Sequence, residues 1–139
     1  MDRDDLGFLL AKALQHWNEL LRERFRAAGW SEVRPSYGSI LVPLFEEDGL
    51  RIGELARRSR LSKQTMTTMV RLLEREQLVR RERDPDDGRA HRIVLTAKAR
   101  RFEPVAEHTL AELGALARER LGESRLAALK HDLKEWIET

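Results

Sequence analysis

The sequence predicts a mainly α fold with one small β-hairpin, an α+β chain in which helices dominate. Three observations predict it. Apolar residues recur at three- and four-residue steps toward both ends, two short helical patterns follow each other in the middle, and one pair of β-rich runs brackets a turn-rich octapeptide. With 139 residues the chain has room for one domain with a real core.

In the first helix Leu6, Leu9, Leu10, Ala13, Leu14, Trp17, Leu20, Leu21, Phe25 and Ala28 share one stripe, and the pattern stops near Gly29. A link through Trp30 and Val33 leads to Pro35 and Ser36, which supply start chemistry for a second helix reaching about Phe45. Pro43 lies inside that helix and should bend or truncate it. The third helix covers about Ile52 to Arg58, with Ile52, Leu55 and Ala56 inward. Ser59, Arg60 and Leu61 leave room only for a turn.

Ser62 then caps a fourth helix by accepting a bond from a first-turn amide. Met66, Met69, Val70 and Leu73 take the i, i+3, i+4 and i+7 positions. Lys63, Gln64, Thr67, Thr68, Arg71 and Arg75 are left on the opposite face, with Thr65 near its edge. LVRRER and RIVLT bracket DPDDGRAH, whose Asp, Pro and Gly are turn formers, so the pair reads as a hairpin with Arg89 at an exposed tip. Thr96 can cap a long helix carrying Phe102, Val105, Leu110, Leu113 and Leu116. Pro104 predicts a kink or a late start there, and Gly122 separates a last helix with Leu126, Leu129, Leu133, Trp136 and Ile137.

Charge is divided sharply along the chain. Residues 51–101 hold 15 Lys+Arg against 7 Asp+Glu, a net of +8, whereas the rest holds 11 against 17, a net of −6, so the overall +2 conceals two opposed halves. Clustered cations on a two-helix unit with a charged hairpin are the footprint of a duplex nucleic-acid reader, because they displace counterions from phosphates. The outer-face residues of the fourth helix are cations, a bidentate amide and small hydroxyls, the types that read base edges and grip phosphates from the major groove. Arg89 on a projecting hairpin suits the narrow, negative minor groove alongside. Asp86 or Asp87 stands close enough to orient that guanidinium. Taken alone, the helix face would be an ordinary solvated surface and DPDDGR a charged turn.

Taken together, Ser62, Thr65, Met66 and Thr67, then Leu78, Val79 and Arg81, then Asp87, Gly88, Arg89, Leu95 and Thr96 resemble the winged helix-turn-helix core of the MarR family of bacterial and archaeal transcription regulators. The resemblance extends over nearly the whole chain. Two positions depart from the family pattern: Gln77 stands where glycine is usual at the end of the recognition helix, and Thr68 where arginine is common.

The resemblance implies one domain over 1–139, with a DNA-binding lobe over 34–98 and dimerisation helices over 1–30 and 100–139. The long apolar stripes of the terminal helices point the same way, because they exceed what a small winged-helix core can cover. The expected partners are double-stranded DNA, a second copy of the chain, and a small aromatic or phenolic effector. The DNA-binding set is Ser62, Lys63, Gln64, Thr65, Thr67, Thr68, Arg71, Arg75, Asp87, Arg89 and Arg92. A two-fold dimer would place recognition helices in successive major grooves of a pseudo-palindromic operator with half-sites about 10 bp apart. Repression by steric exclusion is the expected outcome. For the effector, His16, Trp17, Trp30 and Tyr37 are the local candidates, although each has an ordinary structural reading as core or surface.

Other classes fare poorly. The chain has no cysteine, so thiolate metal sites and thiol redox switching are excluded. His16, His91, His108 and His131 are scattered, and no metal or cofactor is expected. No Gly-rich phosphate loop or nucleophile elbow appears, so no enzymatic activity is expected. MDRDDLGFLL resembles neither a signal nor a transit peptide, and a cytoplasmic protein is expected. A protein-interaction winged helix or a non-specific architectural DNA binder would share the helical pattern. The first of these has no need for the outer-face residues and Arg89 together.

Overall fold

A computed structural model describes residues 2–139. Its element order is α1 (Leu6–Ala27), a 3-10 turn (Pro35–Tyr37), α2 (Gly38–Glu46), β1 (Leu50–Arg51), α3 (Ile52–Ser59), α4 (Lys63–Arg75), β2 (Val79–Arg83), β3 (His91–Leu95), α5 (Ala97–Leu121) and α6 (Glu123–Ile137). The chain divides into two compact units, one spanning Arg22–Ala106 and one built from the segments up to Leu21 and from Glu107 onward.

The central unit is organised by one apolar core. Ile40 and Leu44 of α2, Leu55 of α3, Met66, Val70 and Leu73 of α4, and Leu78 and Ile93 of the hairpin are all fully buried. Each comes from the inward positions of a short amphipathic element, none of which could stay folded alone at eight to thirteen residues. Phe102 at the start of α5 packs edge-on against Phe25 and Trp30, with ring centroids 4.9 and 5.2 Å away.

Helix ends in this unit follow the local chemistry. Gly29, at φ 88°, ends α1, and the Trp30 amide reaches back to the Phe25 carbonyl. Arg60 and Gln77 adopt the same left-handed conformation, at φ 53° and 59°, without glycine's freedom. Around Gln77 the turn is held from several sides. The Leu78 amide donates to Leu73 O, Thr96 Oγ1 donates to Gln77 O at 2.7 Å, and Lys98 Nζ donates to Glu76 O at 2.8 Å.

Three features depart from the sequence reading. First, α2 is neither truncated nor stopped by Pro43 but continues to Glu46. Pro43 has no N–H for the carbonyl of Ser39, and Ser59 Oγ of α3 donates to that carbonyl instead, at 2.6 Å. Second, α5 begins at Ala97, ahead of Pro104, with the Ala99 amide donating to Thr96 Oγ1; the late start does not occur. Third, a two-residue strand, β1, completes an antiparallel sheet of order β1-β3-β2, pairing Leu50 with Ile93 and Arg51 with Arg92. Two residues are too few for any periodicity to reveal.

In the other unit Leu113 and Leu126 are buried, while much of the apolar stripe remains in solvent. Leu14 is 60% exposed and Trp136 57% exposed. Leu6, Leu9, Leu10, Leu129, Leu133 and Trp136 line an almost wholly apolar groove between α1 and α6. Among the described residues no helix is long and apolar enough to cross a membrane.

Candidate nucleic-acid interface

The helix α4 begins as its sequence predicts. Ser62, in extended conformation, accepts the Thr65 amide on its Oγ at 3.0 Å and donates its own proton to Thr65 Oγ1 at 2.9 Å. The Thr65 hydroxyl oxygen is thereby engaged while its proton remains available for donation outward. Thr67 and Thr68 have the opposite polarity. Their hydroxyls donate to the carbonyls of Lys63 and Gln64, at 2.9 and 3.2 Å, which leaves oxygen lone pairs and methyl groups toward solvent. Such groups can accept from an exocyclic base amine or touch a thymine methyl.

Lys63, Gln64, Thr68, Arg71 and Arg75 are exposed and Thr67 is half-buried. Among the described residues no side chain holds Lys63, Gln64, Arg71 or Arg75. The hairpin is fixed to α4 by a short connection through Leu78 and by an ion pair from Arg81 Nε to Glu74 Oε1 at 3.0 Å. Its strands pair antiparallel, from Val79 opposite Leu95 to Arg83 opposite His91.

The wing tip is shaped by its carboxylates through the backbone. Asp87 Oδ1 accepts the Arg89 amide at 3.1 Å, so Asp87 sets the turn rather than clamping the guanidinium. The Asp86 amide donates to Asp84 Oδ1 at 2.8 Å. The expectation that Asp86 or Asp87 orients the Arg89 side chain is corrected accordingly: Asp87 Oδ1 meets the Arg89 amide, and Asp86 bonds through its own backbone N–H to Asp84. Arg89 is exposed, with no carboxylate partner among the described residues.

Arg92 is placed differently from the other candidates. Half-buried on β3, it lies over the turn at Gly49 and 3.8 Å from Glu82 Oε2, and its Nε has no partner. A Cβ at Gly49 would stand 3.4 Å from Arg92 Nη1, and φ there is +78°, so both crowding and conformation call for glycine.

Three residues escaped the sequence reading. Asp84, at the root of the wing, is buried, and Arg51 on β1 reaches it with Nε and Nη2, both at 2.8 Å from Oδ2. The Asp86 amide and the Arg51 guanidinium hold the Asp84 carboxyl below the usual carboxylate range. Arg83 lies exposed beside the tip, its Cδ 3.8 Å from where Gly88 would carry a Cβ. Register could have suggested Arg83. Nothing short of knowing β1 could have joined Arg51 to Asp84, which are 33 positions apart.

The effector candidates fall in both units. His16 and Trp17 line a concavity of about 860 Å³ with Leu20, Leu113, Leu116 and Arg120. Trp30 packs edge-on against Phe102, and Tyr37 is buried in the central core. On α6, His131, Asp132 and Glu135 bring one ligand atom each within 4.8 Å of one another, an exposed arrangement that helix geometry gives to residues at these spacings.

The cation-rich helix α4, a three-stranded sheet and an arginine-tipped hairpin in one unit form a winged helix-turn-helix fold. The MarR family's sequence profile matches residues 35–91, from the 3-10 turn before α2 to the first residue of β3. Over these residues the chain is similar to the MarR family.

Solved structures agree on the fold over almost the full length. The transcriptional repressor CouR, bound to a 23-mer DNA duplex, is 24% identical with a TM-score of 0.83, over 99% of this chain and 98% of that one. The PcaV transcriptional regulator from Streptomyces coelicolor, in complex with its natural ligand, is 21% identical with a TM-score of 0.82, over 100% and 96%. A MarR transcriptional regulator from Methanosarcina mazei Go1 is 21% identical with a TM-score of 0.79, over 96% and 94%. No curated protein sequence matches the chain.

Proposed function

We propose that the protein acts in the cytoplasm as a homodimeric, sequence-specific repressor that binds a pseudo-palindromic operator and is released by a small aromatic ligand. The observation that carries this reading is the exposed face of α4. Lys63, Gln64, Arg71 and Arg75 stand without side-chain partners among the described residues, on the lobe that also carries Arg89. An assembly module would have no use for that set, and the DNA-bound repressor CouR shares the fold. In this reading α4 lies in the major groove and the wing places Arg89 in the adjoining minor groove.

The dimer is supported by the exposed apolar residues of α1, α5 and α6, including Leu14, Leu116, Leu129 and Trp136, which a second copy would cover. The effector reading is supported by the concavity at His16 and Trp17 and by the ligand complex of PcaV. In that concavity the two aromatic rings and the leucines would hold a flat apolar body, and Arg120 offers a counter-charge.

Selection from random duplexes tests the whole reading. A consensus with two inverted half-sites about 10 bp apart is expected. Enrichment without a consensus would indicate a non-specific architectural binder, and no enrichment would indicate an assembly module.

A further inference from the structure

We infer that Arg51 and Asp84 are positioning residues for the wing: their ion pair pins the root of the β2–β3 loop to the start of α3, so that Arg89 meets DNA in one orientation. This rests on the reading that the wing contacts DNA.

Asp84 is the first residue beyond β2, and its amide and one carboxylate oxygen bear on the loop while the other oxygen faces Arg51. Its N–H donates to Ala90 O at 2.9 Å and closes the loop, and Oδ1 accepts the Asp86 amide at 2.8 Å and shapes it. Oδ2 receives both Nε and Nη2 of Arg51, each at 2.8 Å. Arg51 is the last residue before α3 and lies on β1, at the far side of the sheet from β2. The pair therefore passes across β3 and ties together two strands that share no backbone hydrogen bond.

Residues 85–89 are exposed and contribute nothing to the core, which ends at Ile93, Val94 and Leu95. Two-stranded ribbons twist easily, so a ladder alone leaves the pitch of a projecting hairpin soft. Two charge-assisted contacts from one guanidinium to a single carboxylate oxygen fix the distance between the two groups. Arg89, which has no partner among the described residues, then inherits its orientation from the loop backbone. Restricting the wing before contact reduces the ordering that binding would otherwise require. The surrounding charges favour this arrangement: Arg92 stands beside Arg51 in register, and Glu82, opposite Arg92, offsets it. With its carboxyl held below the usual range, Asp84 remains ionised at neutral pH.

The full-length protein carries the test, with anisotropy of a labelled selected duplex as readout and thermal unfolding as the check on folding. Asp84→Asn removes a negative charge near DNA, so simple electrostatics would tighten binding; the positioning role requires it to weaken several-fold. Arg51→Ala is expected to weaken binding similarly and Arg51→Lys less. In an Arg89→Ala background, Asp84→Asn is expected to cost nothing further, because the pair acts through Arg89. Unchanged or tighter binding by Asp84→Asn, or an equal loss in the Arg89→Ala background, would overturn the inference. An Arg89→Ala variant that binds like the wild type would instead overturn the wing-contact reading beneath it. Trypsin cleavage after Arg89 gives a readout without DNA: Asp84→Asn is expected to be cut faster, and an unchanged rate contradicts the positioning role.

Discussion

Ser59 Oγ donates to the carbonyl oxygen of Ser39 at 2.6 Å, and Ser39 is the residue four positions before Pro43. An α-helix with an internal proline loses the N–H that would serve that carbonyl. A hydroxyl from the end of α3 takes its place, so α2 and α3 are joined at the point where α2 is weakest. Ser59→Ala should leave the carbonyl without a partner and lower stability by about 1–3 kcal/mol. Chemical denaturation would measure it. An unchanged midpoint would show that water serves the carbonyl equally well.

Gln77 occupies the left-handed turn after α4 at φ 59°. Gln77→Gly removes the Cβ strain at a position where the backbone is already committed, and its only opposing effect is greater freedom in the unfolded chain. The variant should be more stable by up to about 1 kcal/mol, with DNA affinity unchanged, because Gln77 lies beyond the reading face. Thermal unfolding decides it: a lower melting temperature would mean that the surrounding bonds from Thr96 and Lys98 relax the turn by themselves.

Glu54 on α3 is bonded by Arg57 and Arg58, which lower its pKa from 4.5 to about 2. A depressed carboxylate contributes stability above its unfolded value, and that contribution is lost as pH falls toward the folded one. Between about pH 4.5 and 2, then, Glu54→Gln should flatten part of the acid limb of the stability curve. The cluster is solvent-facing, so the effect should shrink as salt rises. A carboxyl titration followed by NMR that gave Glu54 its ordinary value would contradict this.

Leu9 lines the apolar groove with Leu129 and Trp136 and is itself largely exposed. If a second copy covers this face, Leu9→Asp buries an unpaired charge in the interface and separates the protomers. Sedimentation should show twice 16.2 kDa for the wild type and 16.2 kDa for the variant. A wild type that sediments as a monomer would remove the dimer from the account.

Much of this was legible in the sequence, for identifiable reasons. Met66, Val70 and Leu73 announced α4 because a strong period survives over thirteen residues, and Ser62 announced its start because capping is a local bond. The hairpin followed from turn formers between β-rich runs. What escaped was non-local. The strand β1 has no period of its own, the Ser59 bond that carries α2 past Pro43 comes from another helix, and Arg51 meets Asp84 only once the sheet has formed. In the wing, sequence placed Asp87 near Arg89 but could not say that its oxygen would meet the amide. Along α4 it named Thr67 and Thr68, while the structure supplied their polarity as acceptors.

The central claim is a division of labour in which α4 reads sequence and the wing supplies grip. Salt-titrated binding to a selected operator and to random duplex, for Arg89→Ala, Gln64→Ala and Thr68→Ala, tests it most directly. Arg89→Ala should weaken binding to both duplexes and reduce the salt slope by about 1. Gln64→Ala and Thr68→Ala should reduce the preference for operator by about 1–3 kcal/mol if each contacts a base, with little change on random DNA. Equal effects of all three variants on both duplexes would contradict the account.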